Sequence, residues 1–300
     1  MANSIALATK YVPLLDEIYK REALTSILEK PERVGDFVGA NTVKYYKTSM
    51  DGLGAYARTT GYVQGDVTGT WETLELTQDR GRKFMVDAMD NEETINQAFG
   101  TLASEFIRTK VVPEIDAYRF AKIAGTSGIQ TVAAAALDSS NVIAAIDAAT
   151  TALDDKEVPS DGRVLYVTPQ IYQAIKESAS VTRFVAAGDN SVDRRFGLFD
   201  GMSIVKVPQA RFYTGITLYD GSTAGQEAGG FVKGGSAANV NFLIVHPTST
   251  LAVTKHAVPR IFDPSVNQDA DAWMFQYRIY HDLFVYENKA EGIYLHKSTT

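Results

Sequence analysis

Three hundred residues at 45% hydrophobic and 22% charged make an ordinary globular chain, long enough for two domains or for one with large excursions. The absence of cysteine removes disulfides, thiolate nucleophiles and cysteine metal ligands together, and fits a reducing cytoplasm. A formal charge of −7 argues against tight phosphate-backbone binding, which needs clustered Lys and Arg, so any contact with nucleic acid should be weak. Residues 1–20 mix Lys10, Asp16 and Glu17 among apolar positions, unlike a secretion signal. No apolar run approaches the ~20 residues of a membrane helix.

In residues 1–35 the sets Leu15, Ile18, Tyr19 and Leu24, Ile27, Leu28 suit short amphipathic helices. Their spacing fits two arrangements equally, a helix packed on its own domain or an arm docked on a neighbouring subunit. From Gly39 to Arg82 the period changes to two. Val43, Tyr45 and Lys47 face one way and Lys44, Tyr46 and Thr48 the other, and Trp71, Thr73 and Glu75 alternate with Glu72, Leu74 and Leu76. Between these strands lie Gly52, Gly54, Gly61, Gly65 and Gly69 with Tyr56, Arg58 and Tyr62, the composition of a long hairpin tip. Such a ribbon is marginal alone and needs a surface, either its own domain or another copy of the chain.

Lys83 to Met89 reads as a strand feeding a long helix from Asp90 to Ala124. Ile95, Phe99, Leu102 and Phe106 share one face, Asp90 or Asn91 caps the start, and Gly125 and Gly128 close the end. Pro113 predicts a kink between Thr109 and Pro113, or a short break between two helices. After a small apolar run at Val132–Leu137, Val142 to Leu153 marks an amphipathic helix capped by Asp138, Ser139 or Ser140. A turn at Pro159–Gly162, a buried strand at Val164–Val167 and a helix from Thr168-Pro169 to Ser178 follow. Val181–Asp193 reads as a loop, Met202–Val207 as a strand and Gly221–Gly235 as a loop. Val240–Val245, Leu251–Val253, Met274–Tyr286 and Gly292–His296 are strand candidates, and Ala257–Asp271, with Pro259 and Pro264, reads as an exposed loop.

Chemistry is sparse. Lys233 precedes Gly234, not Ser or Thr, so there is no Walker loop, and the glycines from Gly221 to Gly235 give no dinucleotide fingerprint. His246, His256, His281 and His296 lack metal spacing. There is no G-x-S-x-G elbow, and a triad of Ser249, His246 and an Asp is possible in space with nothing to single it out. Asp87, Asp90, Glu92 and Glu93 are explained as charges at a helix start. No catalytic residue, metal or cofactor is expected.

The order of parts carries more. An N-terminal arm, a glycine-tipped hairpin, a long helix, an α/β domain and a return to long strands resembles the major capsid proteins of tailed bacteriophages, with the Hong Kong 97-type fold. So do the segments Thr109-Lys-Val-Val-Pro-Glu-Ile-Asp-Ala-Tyr, Arg163-Val-Leu-Tyr-Val-Thr-Pro and Tyr277-Arg-Ile-Tyr-His-Asp-Leu-Phe-Val-Tyr-Glu-Asn-Lys-Ala-Glu-Gly-Ile-Tyr. The resemblance covers essentially the whole chain. It implies an α+β fold with an arm (1–38), an extended loop (39–82), a peripheral domain with the spine helix (83–128 and 240–300) and an axial domain (129–239).

The function so implied is a non-enzymatic shell of pentamers and hexamers enclosing phage DNA in the virion, assembled in the host bacterial cytoplasm with a separate scaffolding protein and a portal, and with no membrane partner. Subunit contacts are expected at Tyr45, Tyr56, Arg58, Tyr62 and Trp71 of the extended loop and at Arg260, Asp263, Asn267 and Asp269 of a peripheral loop meeting its copies around three-fold axes. A Lys to Asn isopeptide, from Lys44 or Lys47 to Asn267 or Asn288, is a minor option. An encapsulin-like nanocompartment and a soluble hydrolase using His246 or His281 are the alternatives.

Overall fold

The computed structural model describes residues 23–29, 37–38, 42–93, 97–178 and 197–299. Strands β1 (Phe37–Val38), β2 (Thr42–Met50), β3 (Val67–Glu75) and β4 (Gln78–Asp87) lead into helices α1 (Ala88–Glu93), α2 (Gln97–Phe106) and α3 (Val112–Ala124). A π-turn, Ile107–Val111, joins α2 to α3. Then come β5 (Gln130–Thr131), α4 (Val142–Asp154), β6 (Val164–Val167), α5 (Pro169–Glu177), β7 (Leu198–Phe199), β8 (Met202–Lys206), β9 (Ile216–Leu218) and β10 (Phe231–Lys233). The last strands are β11 (Val240–Val245), β12 (Thr250–Phe262), β13 (Ala272–Val285) and β14 (Ile293–Lys297). The expected loop at Val181–Asp193 and most of the expected arm lie outside the described residues.

Two sheets organise the molecule. A mixed six-stranded sheet runs β5-β14-β11-β6-β8-β7. Its central strands are buried on both faces, which is why they read as unbroken apolar runs. Alternation then sorts side chains between two cores: Leu165, Val167, Phe242 and Ile244 pack with Ile146, Leu153, Ile171 and Ile175 of α4 and α5. Tyr166, Leu243 and Val245 point to the other side, against Phe120 and Ile123 of α3. The second sheet, β12-β13-β4, is antiparallel, and Phe275, Tyr277 and Ile279 of β13 present one face to Ile107, Val112 and Ile115 of the long helix. That helix therefore touches both sheets, its first part on one and its last turns on the other.

The π-turn sits where the proline predicted trouble. Pro113 offers no N–H, and its ring would press on the carbonyl four residues back at Thr109. The widened turn, in which the Val112 N–H donates to Ile107 O, accommodates it without a break. The start of the helical stretch is corrected: α1 begins at Ala88, two residues before the expected cap. Asp87 Oδ1 accepts the Met89 N–H at 2.9 Å, and the Ala88 N–H donates to Asp271 O at 3.0 Å. Asp87 thus ends β4 and opens the helix in one residue.

Local signals elsewhere act as their chemistry suggests. Asp138 Oδ1 accepts the Ser140 N–H at 2.8 Å ahead of α4, and Thr168 Oγ1 accepts the Ile171 N–H at 3.3 Å with Pro169 opening α5. Two expected loops are corrected. Residues 257–262 continue β12, where Pro259 pairs opposite Tyr277; β12 is a sheet edge, the position in a sheet where a strand tolerates proline. Within Gly221–Gly235, Phe231–Lys233 form β10, paired antiparallel with β9.

One short segment, Ala23–Glu29, crosses the spine as a strap. Leu28 is fully buried among Phe120, Ile123 and Ala252. The carboxylate of Asp116, itself fully buried, accepts the Leu24 and Thr25 N–H groups at 3.1 Å each. Arg119 spans from Thr25 Oγ1 (3.0 Å) to Glu29 Oε1 (2.5 Å).

Candidate assembly surface

The ribbon β2–β3 pairs from Thr42↔Glu75 to Met50↔Val67 and carries a sixteen-residue tip, residues 51–66. Its root is folded onto the chain's own body. Val43 and Leu76 are buried with Leu251, Val253 and Phe284, and the Tyr45 ring meets Tyr286 edge-on at 4.9 Å. Tyr45 also donates to Glu72, and Lys47 pairs with Glu287. Beyond Lys47 no such support reaches the ribbon among the described residues.

There the surface is apolar and exposed. Tyr46 packs on its cross-strand partner Trp71 with ring centroids 5.2 Å apart. Gly69 makes room for it, since a Cβ there would fall 1.7 Å from the Tyr46 hydroxyl. Tyr56 and Tyr62 pair at 4.9 Å across a turn closed by the Ala57–Gly61 bridge, with Gly61 at φ +79°. Trp71 is 67% exposed, Tyr62 90% and Leu53 wholly so, and Met50, Val63 and Val67 join them. So many large exposed apolar side chains on one excursion mark an interaction surface.

Of the loop residues expected at subunit contacts, Tyr56, Arg58, Tyr62 and Trp71 are exposed. Tyr45 instead faces inward with Val43, as the period of two requires. Tyr46, Met50, Leu53 and Val63 belong to the exposed set and were missed; Tyr46 was readable from its place opposite Val43 in the alternation.

The second expected surface, around residues 260–269, divides. Arg260 and Asp269 are exposed, with Asp269 3.7 Å from Lys83. Asp263 Oδ1 accepts the N–H groups of Ser265 (2.9 Å) and Val266 (3.1 Å), shaping the turn. Asn267 is buried, donating to Ala272 O at 2.9 Å and accepting from the Asp269 N–H at 3.2 Å. Val266 is 56% exposed at the loop's crest.

The histidines are built into the frame. His246 Nδ1 lies 2.5 Å from Thr248 Oγ1 and Nε2 3.1 Å from Asp161 O, so both ring nitrogens serve a turn and Ser249 is no triad partner. His296 stacks on Phe242 at 5.0 Å, and burial lowers its pKa. His281 is buried beside Tyr118, and burial holds its pKa down at about 3. Among the described residues no cluster of His, Asp and Glu converges to hold a metal, and no helix is long and apolar enough to cross a membrane.

No family model matches the chain, and no curated protein matches it in sequence. Solved structures do resemble it. The capsid of cyanophage P-SCSP1u superposes with a TM-score of 0.63 at 11% identity, over 91% of this chain and 87% of that one. A structure from Gordonia phage Cozz gives 0.59 at 11% identity, over 93% and 87%. A virus-like particle from Pyrococcus furiosus gives 0.56 at 12% identity, over 97% and 99%. At such low identity the likeness speaks for architecture, and with the joined helix across two sheets and the projecting ribbon it gives this chain the Hong Kong 97-type capsid fold.

Proposed function

We propose that this chain is a structural, non-enzymatic shell protein, the major capsid protein of a tailed phage, assembling as pentamers and hexamers around DNA. The observation that carries the reading is the ribbon: it exposes Tyr46, Trp71, Tyr56 and Tyr62 to solvent, an apolar surface that a second copy of the chain would bury. A shell closes through many repeated heterologous contacts, and an excursion laid over a neighbour supplies area that a compact domain lacks. In this reading residues 39–82 are the extended loop, 83–128 with 240–300 the peripheral domain, 129–239 the axial domain and 1–38 the arm. The loop surface is Tyr46, Tyr56, Arg58, Tyr62 and Trp71, with Tyr45 supporting from beneath. The crest around Arg260, Val266 and Asp269, held by Asp263 and Asn267, meets its copies at three-fold axes.

A separate scaffolding protein and a portal complete the assembly, which takes place in the host cytoplasm and ends in the virion. The net charge of −7 suits a wall that does not grip its DNA. A second reading is an encapsulin-like compartment with protein inside the same kind of shell; the likeness to the virus-like particle from Pyrococcus furiosus, over nearly the full length of both chains, supports a shell in either reading.

Electron microscopy with sedimentation velocity, on the protein with and without any scaffolding partner encoded beside it, tests both. Closed shells, or rings that mature into shells, support assembly, and nucleic acid or protein inside separates the readings. A monomer under every condition, scaffold included, removes them.

A further inference from the structure

Strands β9 and β10 form a two-stranded sheet of their own, joined to neither large sheet. With three residues a side, Ile216–Leu218 against Phe231–Lys233, this ribbon is marginal by itself. Ile216, Leu218 and Phe231 are half-buried and belong to none of the buried core clusters. Hydrogen bonds at its ends therefore carry much of what positions the hairpin, and the two ends are held differently.

The base is tied to the lead-in of β11. The Thr214 N–H donates to Ala238 O at 3.0 Å, the Ala238 N–H donates to Thr214 Oγ1 at 2.8 Å, and Lys233 Nζ reaches Asn239 Oδ1 at 2.8 Å. Where the two strands leave this base, the Gly234 N–H donates to Gly215 O at 3.1 Å. The tip, residues 219–230, is shaped by its own contacts: Asp220 Oδ1 accepts the Ser222 and Thr223 N–H groups at 2.8 Å each, and the Glu227 carboxylate accepts the Gly225 N–H at 3.0 Å. This tip reaches β4, in the other sheet, through one side chain. Arg82 Nη2 donates to Glu227 O at 2.9 Å, and among the described residues no other hydrogen bond or ion pair joins the tip to that sheet. Gly221 and Gly229, both at positive φ, flank the guanidinium: a Cβ would fall 2.7 Å from Arg82 Nη1 at Gly221 and 3.5 Å from it at Gly229.

We propose that the β9–β10 hairpin is a flap, pivoting at Gly215 and Gly234 and latched at its tip by Arg82. The fixed base and the single clasp at the far end set its angle, and the pivot glycines absorb the change in φ and ψ when it swings. Closed, the flap shares with the spine and the β4–β13 face a cleft of about 610 Å³ lined by Phe84, Phe106 and Tyr277. Open, it gives those rings to water. One exposed hydrogen bond is a weak clasp, so the flap opens while the packed sheets stay closed. The device belongs to the single chain and does not depend on shell formation.

Distances between paired nitroxide labels, read by double electron–electron resonance on the full-length, unassembled protein, test it. The chain has no cysteine, so labels go only where Cys is introduced. Three exposed positions serve: Ala224→Cys at the tip, Ser236→Cys at the base and Ala257→Cys on β12 of the three-stranded sheet. Arg82→Ala should raise the ratio of open to closed flap about tenfold, the low end for a hydrogen bond from a charged donor, adding a second tip-to-sheet distance. The base-to-sheet and tip-to-base distances should stay as in the wild type, because the base is fixed and the hairpin swings as a unit. Lys83→Ala, one residue along β4 and on its other face, should change none of the three. An unchanged tip-to-sheet distance in Arg82→Ala overturns the proposal. So does a spread in the tip-to-base distance, which would mean that the loop melts, or in the base-to-sheet distance, which would mean that the two sheets move instead.

Discussion

Asp116 on the spine accepts both the amide (3.1 Å) and the hydroxyl (2.7 Å) of Thr25, ninety-one residues earlier in the chain. With the Leu24 N–H and Arg211 Nη1 (3.4 Å) it is surrounded by donors. Asp116→Asn keeps the shape but turns an NH2 against one of them. A loss of about 3 kcal/mol is expected, since a buried ionic network missing one member leaves the rest unpaired. Thr25→Val, which keeps both backbone contacts, should cost about 1–2 kcal/mol. Urea denaturation measures both.

The same carboxylate makes a pH prediction. Burial, the largest influence, raises its pKa above the ordinary value despite the hydrogen bonds and Arg119. The folded chain then holds more proton at this site than the unfolded chain just above the usual carboxylate range, so this contribution to stability falls as pH rises through that window. Subtracting the Asp116→Asn stability curve from that of the wild type should isolate a declining component; a rising one would contradict the assignment.

His281 works in the opposite sense. Its pKa is lowered to about 3, chiefly by burial and next by the field of Arg119. Between that value and about 6.5 the unfolded chain binds the proton and the folded chain does not, so stability is lost as pH falls, at about 1.4 kcal/mol per unit. His281→Phe should flatten the acid limb of the melting-temperature profile between pH 6.5 and 4. An unchanged limb would mean that the ring titrates normally.

Much of this architecture is legible because alternation and punctuation are local. Val43, Tyr45 and Lys47 face inward as their period says, and Pro113 marks its π-turn within a few residues. The strap was not legible, because Thr25 and Asp116 are brought together only by tertiary packing. Pro259 misled for a related reason: a proline ends a central strand but not an edge, and being an edge is a property of the sheet. Asn267 looked like an exposed polar loop residue because sequence does not show that Ala272 O awaits it.

The hairpin separates stability from assembly. Tyr46→Ser with Trp71→Ser removes exposed rings, so the monomer's stability should move by no more than about 0.5 kcal/mol while assembly fails. Phe284→Ala at the ribbon's root should cost the monomer about 3–5 kcal/mol and loosen the whole excursion. Lys47→Gln breaks only an exposed ion pair, and its melting temperature should match the wild type. Melting curves set beside sedimentation profiles read the two properties independently, and a Tyr46/Trp71 variant that assembles normally would take the hairpin out of the interface.

The crest at residues 263–271 offers the same separation within one loop. Asn267 closes it from inside, and replacing it by Ala leaves the Ala272 carbonyl and the Asp269 amide each short of a partner. A cost of about 1–3 kcal/mol to the monomer is expected. Val266, 56% exposed one residue away, lies outside the buried core clusters among the described residues, so Val266→Asp should leave the melting temperature nearly in place. If copies meet at this crest, the new charge is buried against its symmetry mates, and like charges brought together there repel. Val266→Asp protein should therefore fold normally and stop at open or incomplete assemblies in electron micrographs, with closure partly recovered at high salt, where the repulsion is screened. Closed shells formed by Val266→Asp at low salt would remove the crest from the contact, leaving Asn267 with its role inside the loop alone.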